Sequence, residues 1–361
     1  MTEINSKRLY VSVRKTWLVM VLVFSLILIL PAVTGTRDRV NAQEVDLGDF
    51  VRVGVGGRPL ALSGAYVAVG GNSSTPFWNP ASLAAMDGFN LGGMYTDRFS
   101  AGIIYQYLSG SAIYEFKDRE SPVEEEEKSE SGLLTGLARY NPIRGKLGLS
   151  LTRISMDIGS VSYANNPVGE WRSLWLGTVG YRFPDGSILD GFSVGASLKR
   201  YRRQLNEDSV SGWGYDLGLL YSRDIDLGPV PVTGSVGFNL QDPGGVEMVE
   251  GDGSETEVTG VIPPYNRVGV ALATRTSVPV LVSAGYDFSP TRPQINRINL
   301  GTEISFADIF HLRGGINKWV REEGIGFSLG AGVDIGFFNV NYAYLPHNLG
   351  STHIISSDFS F

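Results

Sequence analysis

The chain has no cysteine among its 361 residues. That excludes disulfides, thiolate metal sites, a cysteine nucleophile and the acylated cysteine of a lipoprotein. Charged residues are scarce, at 19%, which is little for a surface bathed in water on every side. The formal net charge of −7 has the wrong sign for general nucleic-acid binding. Histidine is almost missing: His311, His347 and His353 are the only three, and none forms an HExxH or other two-histidine ligand spacing. The Gly-x-Ser-x-Gly spacing at Gly191–Gly195 and Gly326–Gly330 falls within period-two stretches rather than at a strand-to-helix turn, so no nucleophile elbow occurs. His347 and His353 bracket Ser351, and a hydroxyl beside a base is the least that a deacylase needs, but ordinary loop histidines account for them better. The sequence therefore predicts no catalytic residue, no metal and no cofactor. Long apolar runs are absent after Leu30, so no later segment has the ~20 residues that a membrane-spanning helix requires.

What is present in excess is glycine, 46 residues, close to twice the usual share. At the start, Lys7, Arg8, Arg14 and Lys15 precede an apolar run from Trp17 to Leu30. That is the layout of an export signal and too short to span a bilayer. Small residues at Val40 and Ala42 place cleavage after Ala42, so residues 1–42 are read as a signal peptide.

From about residue 100 onward the hydrophobic period is two. Ile325, Phe327, Leu329, Ala331, Val333 and Ile335 share one face of a strand, while Gly324, Gly326, Ser328, Gly330, Gly332 and Asp334 share the other. Trp213, Tyr215, Leu217 and Leu219 alternate with Gly214, Asp216 and Gly218 in the same way. Such rows suit either a soluble sandwich or a transmembrane barrel. The weak faces here are Gly, Ser, Asn and isolated charges rather than a Lys/Glu/Thr mixture, and the strands are long, which favours the barrel. Isolated charges such as Asp216, Arg297, Glu303 and Asp334 are costly in lipid but natural in a wet lumen. Arg200, Arg202 and Arg203 lie near a strand end, where lipid phosphates would meet them.

Counting back from Phe361, connections alternate between long and short and yield about fourteen strands, an even number, over residues 100–361. The walk puts the acidic run Glu124–Glu127 in a long connection at the end opposite Phe361. The last strand runs to the C-terminus itself, with Phe359 and Phe361 on its apolar face.

Residues 43–99 break the alternation and are rich in small side chains. Gly54, Gly56 and Gly57 suggest a phosphate loop, but Pro59 stands where the last glycine of G-x-G-x-x-G would be. Small residues pack well in a confined space, and Asn79-Pro80 starts a turn. A fourteen-stranded lumen is too wide for barrel side chains to fill, so this segment is expected to fold back as a plug. The predicted fold is all-β: an antiparallel transmembrane β-barrel (100–361) with an N-terminal plug.

Two stretches carry a family resemblance. Gly57, Arg58, Gly64, Ala65, Tyr66, Val67, Ala68, Trp78, Asn79, Pro80 and Ala81 resemble the N-terminal signature of the PorV/PorQ family, relatives of FadL-type fatty-acid channels. The ending from Val340 to Phe361 is similar to that family's too, with Asn341 and Ile354 departing from it. The resemblance implies a plugged barrel in the outer membrane, with Gly57, Arg58, Gly64, Trp78, Asn79 and Pro80 as plug residues. It makes Phe359 and Phe361 a signal for the insertion machinery. Two functions follow from it: a component of a type IX secretion apparatus that binds exported cargo proteins and other secretion subunits, or a channel for small hydrophobic molecules. Neither is enzymatic.

Overall fold

The computed structural model describes residues 46–116, 144–163, 166–226, 230–250, 258–321 and 324–361. The expected signal peptide and the acidic run lie outside these residues.

Fourteen antiparallel strands close into a single barrel. In chain order they are β1 (Phe89–Arg98), β2 (Ile103–Phe116), β3 (Gly145–Tyr163), β4 (Asn166–Arg182), β5 (Phe192–Leu205), β6 (Asp208–Asp226) and β7 (Pro231–Gln241). A short hairpin, β8 (Val246–Glu250) and β9 (Val258–Ile262), stands outside the barrel order. The remaining barrel strands are β10 (Tyr265–Thr274), β11 (Val280–Phe288), β12 (Arg297–Phe306), β13 (Phe310–Trp319), β14 (Gly326–Asp334), β15 (Phe338–Leu345) and β16 (Thr352–Ser360). Sequence neighbours pair, β7 pairs with β10, and β1 closes on β16 through Asn90↔Ser360 to Asp97↔His353. Closure leaves no unpaired edge, so backbone groups are satisfied without water, which hydrocarbon demands of any structure that crosses it.

The two-residue period decides which side chains face out. Trp213, Leu217, Leu300, Phe327, Leu329 and Ile355 are all 44–61% exposed, although nothing in water favours exposing so many large apolar groups. Their partners in the alternation, including Asp216, Asn299, Glu303, Ser328 and Ser356, are buried inside. The polarity is inverted relative to a soluble sandwich, as a barrel in lipid requires. Among the described residues no helix is long and apolar enough to cross a membrane.

Two details differ from the sequence expectation. The barrel starts at Phe89, inside the stretch assigned to the plug. Phe89, Leu91 and Tyr95 face outward while Asn90, Gly92 and Thr96 face inward. The Gly92-Gly93 pair breaks the greasy row and hides this strand from a periodicity reading. Among the described residues thirteen barrel strands lie beyond residue 100; the further strand that the walk expects between the acidic run and Gly145 falls outside them. The described flanks of the acidic stretch also stand at the other end. Phe116 pairs with Gly145 and Phe89 with Ala112, so both flanks of residues 117–143 emerge at the end where Phe361 sits.

Ahead of β1, residues 46–86 contain three short helices, α1 (Asp49–Arg52), α2 (Gly57–Ala61) and α3 (Thr75–Trp78), and a 3₁₀ turn, Pro80–Ala85. This segment lies against inward-facing residues on several sides of the barrel. A Cβ on Gly195 would sit 2.4 Å from the Pro80 backbone, one on Gly237 2.2 Å from the Val67 carbonyl oxygen, and one on Gly301 2.8 Å from Leu62. Glycines on β5, β7 and β12 thus make room for a backbone that presses on the wall from within.

Candidate functional site: the contacts between residues 46–86 and the inner wall

Arg58 sits in α2 and reaches β12. Its Nε and Nη2 donate to the two carboxylate oxygens of Glu303, each at 2.8 Å, the paired geometry that a planar guanidinium favours. Arg313 on β13 donates to the same carboxylate and to Asn341 Oδ1 at 2.8 Å. Glu303 is therefore held between two cations. Burial works against the Arg58 charge, but Glu303 outweighs it, and the guanidinium titrates above its ordinary value. Arg58 also donates to the Gly70 carbonyl, which accepts a second bond from Tyr66 Oη at 2.7 Å. The chain is thereby folded back on itself between residues 58 and 70.

Gly57 opens α2 and donates its N–H to Ser356 Oγ of β16 at 2.9 Å. A Cβ there would lie 3.0 Å from the Asn341 carbonyl, so the helix start can come this close only without a side chain. Gly64 has φ +82°, and a Cβ would approach Arg297 Nη2 at 3.1 Å; both the backbone and the space call for glycine. Further along, Ser73 donates its N–H to Asp358 Oδ1 at 3.1 Å and its hydroxyl to the same oxygen.

Trp78, Asn79 and Pro80 form the other anchor. Trp78 is buried, and its indole N–H donates to the Val55 carbonyl at 3.0 Å. Asn239 of β7 donates to the Trp78 carbonyl at 3.0 Å, and the Arg267 guanidinium of β10 lies 4.7 Å from the indole ring. Asn79 is extended and caps the following turn, its Oδ1 accepting from Ala81 N–H at 3.1 Å. Its Nδ2 donates to Val67 O and to Leu219 O of β6. Pro80 takes the first position of the turn, where a missing N–H costs nothing.

The inner wall has two characters. On β10–β16 it is charged and hydrogen-bonded to the segment, as just described. On β2–β5, toward the end opposite Phe361, Tyr105, Ile154, Met156, Leu174, Leu176 and Tyr201 are buried in one cluster with Leu47 and Phe50, beside the buried Lys199, which faces Leu176 by register, and Arg172, which pairs with Asp49. Phe50 of α1 meets Tyr201 edge-on at 6.4 Å. Above this sector the β8–β9 hairpin folds inward. A Cβ on Gly212 would lie 2.6 Å from Val246 Cγ1, and Leu47 N–H donates to the Val261 carbonyl at 2.9 Å. The cavity left among α1, Phe77, Tyr201 and Ile262 holds only ≈ 10 Å³.

The remaining predicted residues lie elsewhere. Asp216 bonds Lys199, which also meets Asp242; Arg297 bonds Asp287 at 3.0 Å; Asp334 accepts from Gly336 N–H in the β14–β15 turn. Phe361 is zipped to the start of β1, its N–H donating to Phe89 O and its carbonyl accepting from Phe89 N–H. Phe359 packs on Phe338 at 4.6 Å. His353 brings Ser351 Oγ to 3.2 Å of Nε2, but a tyrosine, Tyr342, rather than a carboxylate, bonds Nδ1. Alternation separates the three arginines: Arg203 turns inward to Glu170, while Arg200 and Arg202 face outward.

No family model and no curated protein matches the chain. Among solved structures it is similar to the CymD monoaromatic hydrocarbon channel, with 14% identity over 86% of this chain and 98% of that one, at a TM-score of 0.47. It is similar to the toluene transporter TodX of Pseudomonas putida, with 13% identity over 89% of this chain and 100% of that one, also at 0.47. A Pseudomonas aeruginosa FadL homologue is similar at 12% identity, over 82% and 96% of the two chains, with a TM-score of 0.45.

Proposed function

We propose that this chain is an outer-membrane channel for small hydrophobic molecules, exported by an N-terminal signal peptide of residues 1–42, with residues 46–86 as its movable plug. Phe359 and Phe361 would then be the terminal signal read on insertion. The observation that carries the reading is the apolar inner sector of β2–β5. A pore for water-soluble solutes is lined with polar groups, whereas Ile154, Met156, Leu174 and Leu176 form a contiguous apolar patch. That surface is now covered by Leu47 and Phe50. The structure is thus read as the closed state, and passage needs the segment to shift off the sector.

The secretion reading is less well supported. Docking a folded cargo domain calls for a broad, open mouth, and here Val246, Met248 and Ile262 of the hairpin close over Leu47 and Phe50. The test is uptake of an apolar fluorescent probe into liposomes that hold the protein. Deleting residues 46–86 should raise the rate severalfold for the apolar probe. An unchanged rate, or a rise only for polar solutes, would overturn the channel reading.

A further inference from the structure

The exterior of β3–β6 is not uniformly greasy, and the register shows how it changes along the wall. One row reads Leu151↔Gly177↔Leu198↔Tyr215 across the four strands. Two residues nearer the end opposite Phe361, the row is Arg153↔Trp175↔Arg200↔Trp213. The next is Ser155↔Ser173↔Arg202↔Ser211. Within one strand repeat the surface passes from hydrocarbon to cations on indole rings, and then to cations among hydroxyls. The cations are pre-oriented: the Arg200 guanidinium lies 4.9 Å from the Trp213 ring and donates to Ser211 Oγ at 2.8 Å. Arg153 lies 5.6 Å from Trp175. Among the described residues no carboxylate pairs with Arg153, Arg200 or Arg202. The nearest acid on this face by register is Asp157, opposite Trp171, and it accepts from Gly159 N–H. Trp171, Trp175, Arg200, Arg202, Ser209 and Ser211 border an open groove of ≈ 620 Å³.

We infer that this groove binds the phosphate-bearing head group of an anionic membrane lipid, whose acyl chains run down over Leu198 and Tyr215. Guanidinium forks and hydroxyl donors match phosphate oxygens, and the aromatic rings mark the level of the bilayer interface. The head group must belong to a lipid rather than be a free anion, because the cations sit directly above a lipid-facing apolar row. The inference rests on the barrel lying in a bilayer but not on what passes through it.

The full protein is reconstituted into nanodiscs of phosphatidylcholine with and without phosphatidic acid, and lipids retained after release into detergent are counted by native mass spectrometry. Wild type should keep phosphatidic acid in preference to phosphatidylcholine. Arg202→Gln should weaken that preference about tenfold, the scale of one charge-assisted hydrogen bond. Arg202 is exposed and its substitution leaves the fold intact, which heat-dependent gel mobility checks. Lys318→Gln, exposed on the opposite wall, should leave the preference unchanged. Equal retention of the two lipids, an unaffected Arg202→Gln variant, an equal loss in Lys318→Gln, or displacement of the lipid by inorganic phosphate would each overturn the proposal. Failure to enter the discs at all would overturn the membrane assignment beneath it.

Discussion

The inner wall of β12–β16 and the inner wall of β2–β5 hold the same N-terminal segment with different proportions of polar and apolar contact. The first uses a carboxylate between two guanidiniums, a hydroxyl to a helix start and a serine to Asp358. The second adds Tyr105, Ile154, Leu174 and Tyr201 against Leu47 and Phe50 to two directional bonds of its own, Arg172 of β4 to Asp49 and Tyr107 Oη of β2 to the Ser73 carbonyl. Directional bonds fix position and break all at once, whereas apolar contacts slide and reform with any hydrocarbon. On the channel reading proposed above, the apolar cluster would be the surface from which the segment lifts and onto which an apolar permeant settles.

The largest effect should come from the mooring. Glu303→Ala would leave Arg58 and Arg313 facing each other without their shared anion. Breaking a buried ion pair from one side costs about 3–5 kcal/mol, and the Arg313 side chain is 1% exposed. Urea unfolding in detergent should show that loss. Limited proteolysis should cut within residues 57–70 before it cuts the barrel. A variant with wild-type stability and an uncut segment would mean that the remaining contacts hold it without Glu303.

How much of this could be read from the sequence depends on distance along the chain. The outward rows were legible because alternation is local: Phe327, Leu329 and Val333 state their face within seven residues. The small-residue character of the segment, and Asn79-Pro80 as a turn, were legible for the same reason. The partners were not. Arg58 and Glu303 lie 245 residues apart, and nothing in either neighbourhood says which luminal charge meets which plug residue. β1 was lost because Gly92 and Gly93 interrupt its greasy face, and Gly92 is small for a reason visible only in space: a Cβ there would run into Ser73 and Asp358. The short strands of the inward hairpin β8–β9 carry no barrel-length alternation, so the sequence does not separate them from a loop.

A middle-sized effect should follow from Gly195→Val, which probes where the two walls meet around the Asn79-Pro80 turn. The new side chain would start 2.4–2.5 Å from the Pro80 and Ala81 backbone, and backbone cannot step aside as a flexible side chain can. Overpacking of this kind costs about 1–3 kcal/mol. If the turn is held by its bonds to Val67 and Leu219, the segment should stay docked and the whole barrel lose stability. If the segment detaches instead, proteolysis within residues 75–86 will report it, and the turn belongs to the releasable side.

The smallest change tests whether the two walls are independent. Ile154→Val removes one methylene from the apolar sector, at a cost of about 0.5–1.5 kcal/mol, and should leave the protease protection of residues 57–70 unchanged. Ile154 and Glu303 lie on separate walls and share no hydrogen-bond partner. Effects at such sites add to within about 0.3–0.5 kcal/mol. The double variant Glu303→Ala/Ile154→Val should therefore lose the sum of the two single losses in urea unfolding. A loss well short of the sum would mean that Glu303→Ala has already lifted the segment from the apolar wall, so that Ile154 no longer has Leu47 and Phe50 to lose. That outcome would join mooring and release into one cooperative step, in which the plug leaves as a unit. Strict additivity would show that it keeps its contacts with the apolar wall after the tie at Glu303 is cut.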